Sequence, residues 1–385
     1  MEYRISDAMS GLFYYFAHVK PENELKKPIP EEVGCLNVQI SILDPDPYMR
    51  SLGLQNWGEC VDFLKRKIEP WGLNILNPDK QYEQSVTLQL CLRYTPRNED
   101  LYRFIKKHFE HKYPPHGVNL TWIIDTPWAP AQSSFFSPLP SETLIALKNL
   151  AQEHRFFVDT SHLSPLATNQ IVGEIPDVMA SHSNSETVLR ILYGNRSRIP
   201  GTYVYGAQNL WDPTLERLAQ KPNKFVGVFP FLPSIVPIYD VEWFKEDKTG
   251  FRGFAALLLH IIYISRFIGF DSIGLSADYV NTIFGVNPRT GKRWIEDYIP
   301  NIYPNEILGI NRAFAEFLDS LDDPETISSI LKFYEEYFDR IKLSPFERNL
   351  IMPKEEEILK IHEKREGIMG TNFVNFLKCI KGDKT

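Results

Sequence analysis

Residues 156–188 read FFVDTSHLSPLATNQIVGEIPDVMASHSNSETV. Two short apolar runs, FFVDTS and VMAS, each lead into a histidine, His162 and His182. Small hydroxyl residues flank both. Two buried strands that each end in a histidine form half of a divalent-metal site, because neutral imidazole is a good ligand and strand ends converge. The fold depends on whether the rest of the chain repeats this strand pattern.

It does. Strand-like runs occur at about 3–8, 35–43, 86–94, 119–124, 156–160, 178–182, 224–231 and 272–279. Most read as continuous apolar runs, as expected of parallel strands covered on both faces. Amphipathic segments such as CVDFLKRKIEPWG, LYRFIKKHFEHKY, SETLIALKNLAQEH and GFAALLLHIIYISRFIG lie between them. In the third, Leu144, Leu147 and Leu150 share one helix face. Eight alternations of strand and helix predict an α/β chain folded as a (β/α)8 TIM barrel, one domain over 1–385. Additional C-terminal helices at 300–380 would close and decorate it. An open doubly wound sheet is the runner-up, but no Gly-x-Gly-x-x-Gly and no P-loop follows any strand. The proline-rich stretches 126–140 and 230–237 fall just after strands, where a barrel carries its active-site loops.

Composition narrows the function. The 385 residues are 43% hydrophobic, enough for a large core, and the net charge is −7 from 42 basic and 49 acidic residues. An acidic balance without a basic stripe argues against nucleic acid as a partner. The mixed run KEEEILKIHEKR at 354–365 alternates sign at helical spacing and reads as a solvated face. Cys35, Cys60, Cys91 and Cys379 show no CxxC spacing, so neither a disulfide scaffold nor a cysteine zinc site is expected. The start MEYRISDAMSGLFYYF lacks the pattern of a signal peptide. The longest apolar run, FAALLLHIIYI at 254–264, falls short of the ~20 residues of a membrane span and contains His260. These features predict a cytoplasmic protein without a membrane partner.

In a barrel, site residues stand at the carboxyl ends of strands. His162 follows strand five, His182 ends strand six, and Asp278 lies near the end of strand eight in GLSADY. Two imidazoles and a carboxylate from these strands suit zinc, with open positions for a water whose pKa the ion lowers. Asp125 and Trp122 end strand four, Asp7 strand one and Arg93 strand three. A lone histidine at a strand end is usually just a hydrogen-bonded polar residue. Asp125 opens an Asp-Thr-Pro stretch and could simply cap the loop.

The phrases VDTSHLS (158–164), VMASHSNSETV (178–188), FVGVFPFL (225–232), HIIYISRFIGFDSIGLSADY (260–279), LTWIIDTPWA (120–129) and LGINRAF (308–314) resemble the renal (membrane) dipeptidase family in order and spacing. Those proteins are zinc enzymes of the amidohydrolase-type barrel superfamily. The resemblance covers roughly 115–320. It implies that His162 and His182 would be the imidazole ligands of one zinc ion and Asp278 the strand-eight carboxylate of a second. The family's other ligands are replaced. Asp7 is kept, but Met9 and Gly11 stand where the family has a His-x-Asp pair. Cys91 or Arg93 takes the place of its bridging glutamate, the nearest acid being Glu99, and Trp122 that of its strand-four histidine. Arg196 or Arg198, in RSRIP, would grip a substrate carboxylate.

Loss of the bridging carboxylate and both strand-one ligands leaves one zinc ion at most, weakly held at His162, His182 and Asp278, or none. In the latter case the Arg93 guanidinium could replace the missing positive charge beside Asp278. The expectation is a dipeptidase-like barrel with most of its dinuclear site lost. It would bind a peptide-like or amino-acid-like small molecule with little or no dipeptidase activity. Asp278, Trp122 and Arg93 would stand at the reacting centre, and Arg196, Arg198, Asp125 and Tyr279 would contact the ligand. Trp122, Trp128, Phe135, Phe136 and Tyr279 would line the pocket. The alternatives are an active single-metal hydrolase at His162 and His182, and a metal-free lyase or isomerase. A homodimer is expected only because dimers are common among such barrels.

Overall fold

A computed structural model describes residues 4–10, 12, 13, 16, 25–42, 52–76, 82, 84–92, 100–121, 125–134, 136–194, 209–278, 297–300, 302, 303 and 305–382. All eight expected strands form, with ends displaced by a few residues. They are β1 (Ile5–Ser10), β2 (Val33–Ser41), β4 (Ser85–Cys91), β5 (Gly117–Asn119), β6 (Phe157–Asp159), β7 (Asp177–Ala180), β8 (Asn223–Val228) and β9 (Ile273–Leu275). A ninth, two-residue strand, β3 (Asn74–Ile75), joins the start of β4. Every pairing is parallel, in the order β1-β2-β4-β5-β6-β7-β8-β9. The sheet curls into a nearly closed (β/α)8 barrel. At the seam β9 lies against β1, and the Ala277 N–H donates to Asp7 Oδ1 across it at 3.0 Å.

Helix starts explain how the two histidines are fixed. Ser164 caps helix Pro165–Glu174, its hydroxyl accepting the Ala167 N–H, with Pro165 in the first turn. Ser185 caps helix Glu186–Tyr193 by accepting the Val188 N–H. Each strand is thus followed by its histidine, a short turn and a serine cap, which is the chemistry a tight strand-to-helix connection needs. Gly227 lets the end of β7 come close: a Cβ there would sit 2.1 Å from Ser181 O, and Gly227 O accepts the Ser183 N–H at 2.8 Å.

The C-terminal helices form as expected, and the last has a specific task. Phe373, Phe376 and Leu377 of helix Asn372–Lys381 pack on Ala8, Cys35, Phe157, Met179 and Phe225 from inside the barrel. Asn372 Nδ2 donates to Phe270 O and Ile273 O, both at 2.8 Å, so this helix plugs the N-terminal end of the barrel. The apolar run at 254–264 is the centre of helix Phe251–Ile268, which by length and composition could cross a membrane. Most of it is packed inside the protein. At its middle, buried His260 donates from Nε2 to Ile235 O (2.9 Å) and accepts the Ser185 N–H at Nδ1 (3.1 Å).

Candidate functional site at the barrel mouth

Every residue of β2 and β4 is buried. Their composition nevertheless alternates. Leu36, Val38, Ile40, Val86, Leu88 and Leu90 join the core beneath the helices. Between them stand Asn37, Gln39, Ser41, Thr87, Gln89 and Cys91. Period two places this second set on the inner face of the barrel. The expectation of continuous apolar runs therefore holds for burial and fails for composition on these two strands, because the barrel lumen is polar in its middle.

A hydrogen-bonded chain crosses that lumen. Asn37 Nδ2 donates to Ala8 O (3.0 Å) and to Gln89 Oε1 (2.6 Å), and Gln89 Nε2 donates to Asp159 Oδ2 (2.6 Å). Asp159 Oδ1 accepts the backbone N–H groups of Ser161 and Ser181, each at 3.0 Å. Three N–H donors on this fully buried carboxylate offset the cost of taking it out of water. Ser161 Oγ in turn accepts the His182 N–H at 3.1 Å and lies 3.1 Å from Ser181 Oγ.

The chain ends on the two histidines. His182 Nε2 and His162 Nε2 are 2.7 Å apart, with ring centroids 4.5 Å apart and planes inclined at 64°. Two ring nitrogens this close require one proton between them, so one imidazole donates to the other. Gln132 Oε1 lies 3.2 Å from His162 Nδ1 and accepts its proton, leaving the lone pair of His162 on Nε2. His182 then donates from Nε2, and its Nδ1, 2.8 Å from Ser181 Oγ, accepts the hydroxyl. Burial pulls the pKa of His182 down to about 4, against the opposing charge of Asp159, so this ring is neutral near pH 7.

A metal ion requires a wider pair than this. An ion at zinc–nitrogen distance with tetrahedral angles holds two nitrogens about 3.3 Å apart, so the imidazoles would have to separate by roughly 0.6 Å. Among the described residues no group of three His, Cys, Asp or Glu side chains is placed to hold a metal ion. The described residues as they stand do not fit a metal centre.

The other residues singled out in the sequence fall as follows. Asp278 is partly buried just past β9, with φ +43°, and His162 has φ +68°; left-handed backbone at two non-glycine strand ends is uncommon and costs energy. Asp125 is exposed and braces its own loop: Oδ1 accepts the Ala131 N–H (2.6 Å) and both oxygens accept the Ser134 hydroxyl (2.9 and 2.8 Å). That loop carries Gln132, whose N–H donates to His162 O at 2.7 Å. Trp128 is buried, Phe136 is 83% exposed, and Cys91 is buried with Sγ 3.6 Å from Asn119 Oδ1. Trp122, Arg93, Arg196, Arg198, Tyr279, Gly11, Glu99, Phe135 and the Met9 side chain lie outside the described residues.

The sequence reading missed Gln132, Asp159, Ser161 and Ser181, which set the position and proton of each imidazole. It also missed Asn184, which bonds Phe229 O (2.9 Å), the Phe229 N–H (3.1 Å) and Ser234 Oγ (3.0 Å), tying the loop after His182 to β8. Three more polar atoms of the lumen, Gln39 Nε2, Ser41 Oγ and Ser276 Oγ, are buried and meet no hydrogen-bonding group among the described residues.

No known protein family matches the sequence, and no curated relative matches it. Solved structures do match the fold over almost the whole chain. A metallopeptidase from Rhodobacter sphaeroides, liganded with a phosphinate mimic of the dipeptide L-Ala-D-Ala, has a TM-score of 0.58 at 10% identity, covering 98% of this chain and 99% of its own. An amidohydrolase from Pseudomonas aeruginosa has a TM-score of 0.55 at 12% identity, with 99% and 97% covered. The probable dipeptidase PvdM from Pseudomonas aeruginosa has a TM-score of 0.55 at 11% identity, with 100% and 96% covered. The chain is a (β/α)8 barrel of the kind these hydrolases share. The likeness of fold to these structures runs from end to end of the chain.

Proposed function

We propose that this barrel binds a peptide-like or amino-acid-like small molecule at its mouth with little or no dipeptidase activity, the two-metal chemistry of dipeptidases having been lost. The reading rests chiefly on the Nε2–Nε2 hydrogen bond between His162 and His182. In such a pair the lone pair of His162 Nε2 accepts the His182 proton, and a cation must break that bond to bind. The likeness to peptidase folds suggests the ligand class by analogy of fold alone. The buried Gln39, Ser41 and Ser276 atoms supply donors and acceptors for amide or ammonium groups.

A second reading, a single-metal hydrolase, has one observation in its favour. Each imidazole is oriented at Nδ1 by a neighbour, Gln132 or Ser181, much as metal-bound histidines are held. In that reading Asp278 is the base and Arg196 or Arg198 grips the substrate carboxylate.

A dipeptide panel separates the two. The expected result is binding, seen as a thermal shift with some dipeptides, and no hydrolysis above background with or without added zinc. Zinc-dependent turnover that disappears in His182→Ala would establish the second reading and refute the first.

A further inference from the structure

The opposite end of the barrel holds a pocket with a different chemistry. It is a cavity of ≈ 360 Å³ between the segment preceding β5, the segment preceding β6 and the end of helix Asn372–Lys381. Lys112, Arg155 and Lys381 line it together with His116 and His154, and among the described residues no acidic side chain does. Leu76, Phe109 and Ile380 contribute apolar wall.

Several details mark the polar groups as donors. Among the described residues, neither Lys112 nor Arg155 forms a salt bridge; Arg155 Nη1 reaches Ile380 O at 3.5 Å, and its charge is also felt by the Asp177 carboxylate. His116 Nδ1 accepts the Leu88 N–H at 3.2 Å, which leaves its proton on Nε2. Burial, reinforced by the Lys381 charge, keeps this ring neutral with a pKa of about 3. His154 stacks on Phe109 at 4.7 Å and 9°, and its buried Nε2 meets no hydrogen-bonding group among the described residues. Three cations and two imidazoles around an apolar wall are complementary to one negative head group carrying an apolar body.

We propose that this pocket at the N-terminal face of the barrel binds a small amphiphilic anion, a single carboxylate or phosphate on an apolar body. The site is separate from the histidine pair, since the strands run from one to the other. It depends on nothing assumed about the mouth. The head group would lie among Lys112, Arg155 and Lys381, and the body against Leu76, Phe109 and Ile380.

Calorimetric titration of the full chain with decanoate, decanol and inorganic phosphate tests this. Decanoate should bind saturably at one site, at least about tenfold more tightly than either decanol or phosphate, and more weakly as salt is raised. Lys112→Glu and Arg155→Glu should each weaken decanoate at least about fivefold, and His182→Ala should leave it unchanged. Lys112 is exposed, so its substitution stays informative if loss of the Arg155 contact to Ile380 disturbs the fold. Phosphate binding as tightly as decanoate would place the specificity in the anion alone and overturn the amphiphile. So would decanol binding equally, no saturable binding, or loss of binding in His182→Ala.

Discussion

His182 and His162 meet Nε2 to Nε2 at 2.7 Å at the mouth of a parallel eight-stranded barrel. Each ring is held at its other nitrogen, by Ser181 and by Gln132. The proton between them follows from those outer partners. Gln132→Glu should strengthen the hold on His162 Nδ1–H, because a carboxylate accepts more strongly than an amide. Histidine nitrogen–proton correlation spectra should show His162 as the Nδ1–H tautomer in both proteins and His182 as Nε2–H. A His162 Nε2–H signal in the unaltered protein would reverse the assignment.

Asp159 joins the polar lumen to the histidine-bearing turns. In Asp159→Asn the amide must turn its own N–H2 toward either Gln89 Nε2 or the paired backbone N–H groups, which places donor against donor. Unfolding by urea should show a loss of on the order of 2–3 kcal/mol. A loss below about 0.5 kcal/mol would mean that the network is not cooperative.

Gly227 sets the approach of β8 to the turn that carries His182. Gly227→Ala drives a methyl group into Ser181 O, at 2.1 Å in the unaltered backbone. Strain of this kind typically costs about 1–3 kcal/mol. The His182 ring signals should shift as Ser181 moves, and unchanged stability together with unchanged shifts would show that the strand relaxes freely.

Stability should also depend on pH through His260. Burial holds its pKa at about 4 in the folded chain, against about 6.5 when unfolded. Between these values the unfolded chain binds a proton that the folded chain does not. The contribution is complete above pH 6.5 and is lost as pH falls from 6.5 to 4, by about 3 kcal/mol in all. Urea unfolding at pH 7 and pH 4.5 should show this decline, and it should be smaller in His260→Gln. An equal decline in both proteins would remove His260 as the source.

Much of this was legible in the sequence. The eight strands could be read because each is a short run buried on both faces and followed by turn chemistry, as in TSHLSP and ASHSNS. The two histidines stood out for the same reason. The inner polar layer was in the sequence too: CLNVQISIL at 35–43 places Asn37, Gln39 and Ser41 at period two. It reads as an apolar run only if burial and polarity are treated as opposites. Asp159 has the appearance of a strand-end turn residue, since nothing local reveals a partner seventy positions away at Gln89. Gln132 lies in a proline-rich loop, and only the bridge from Ala131 to Leu163 brings it to His162. The plug at the base of the barrel was likewise hidden, because an amphipathic C-terminal helix looks the same whether it covers a barrel end or its side.

The proposed function has a hydrogen bond, and no tightly bound ion, closing the histidine pair. Titrating the metal-stripped protein with zinc while following the ring signals of His162 and His182 tests it most directly. One equivalent of zinc at micromolar protein should leave both signals in place. Saturation of both rings at one equivalent, with loss of the shared proton, would contradict it.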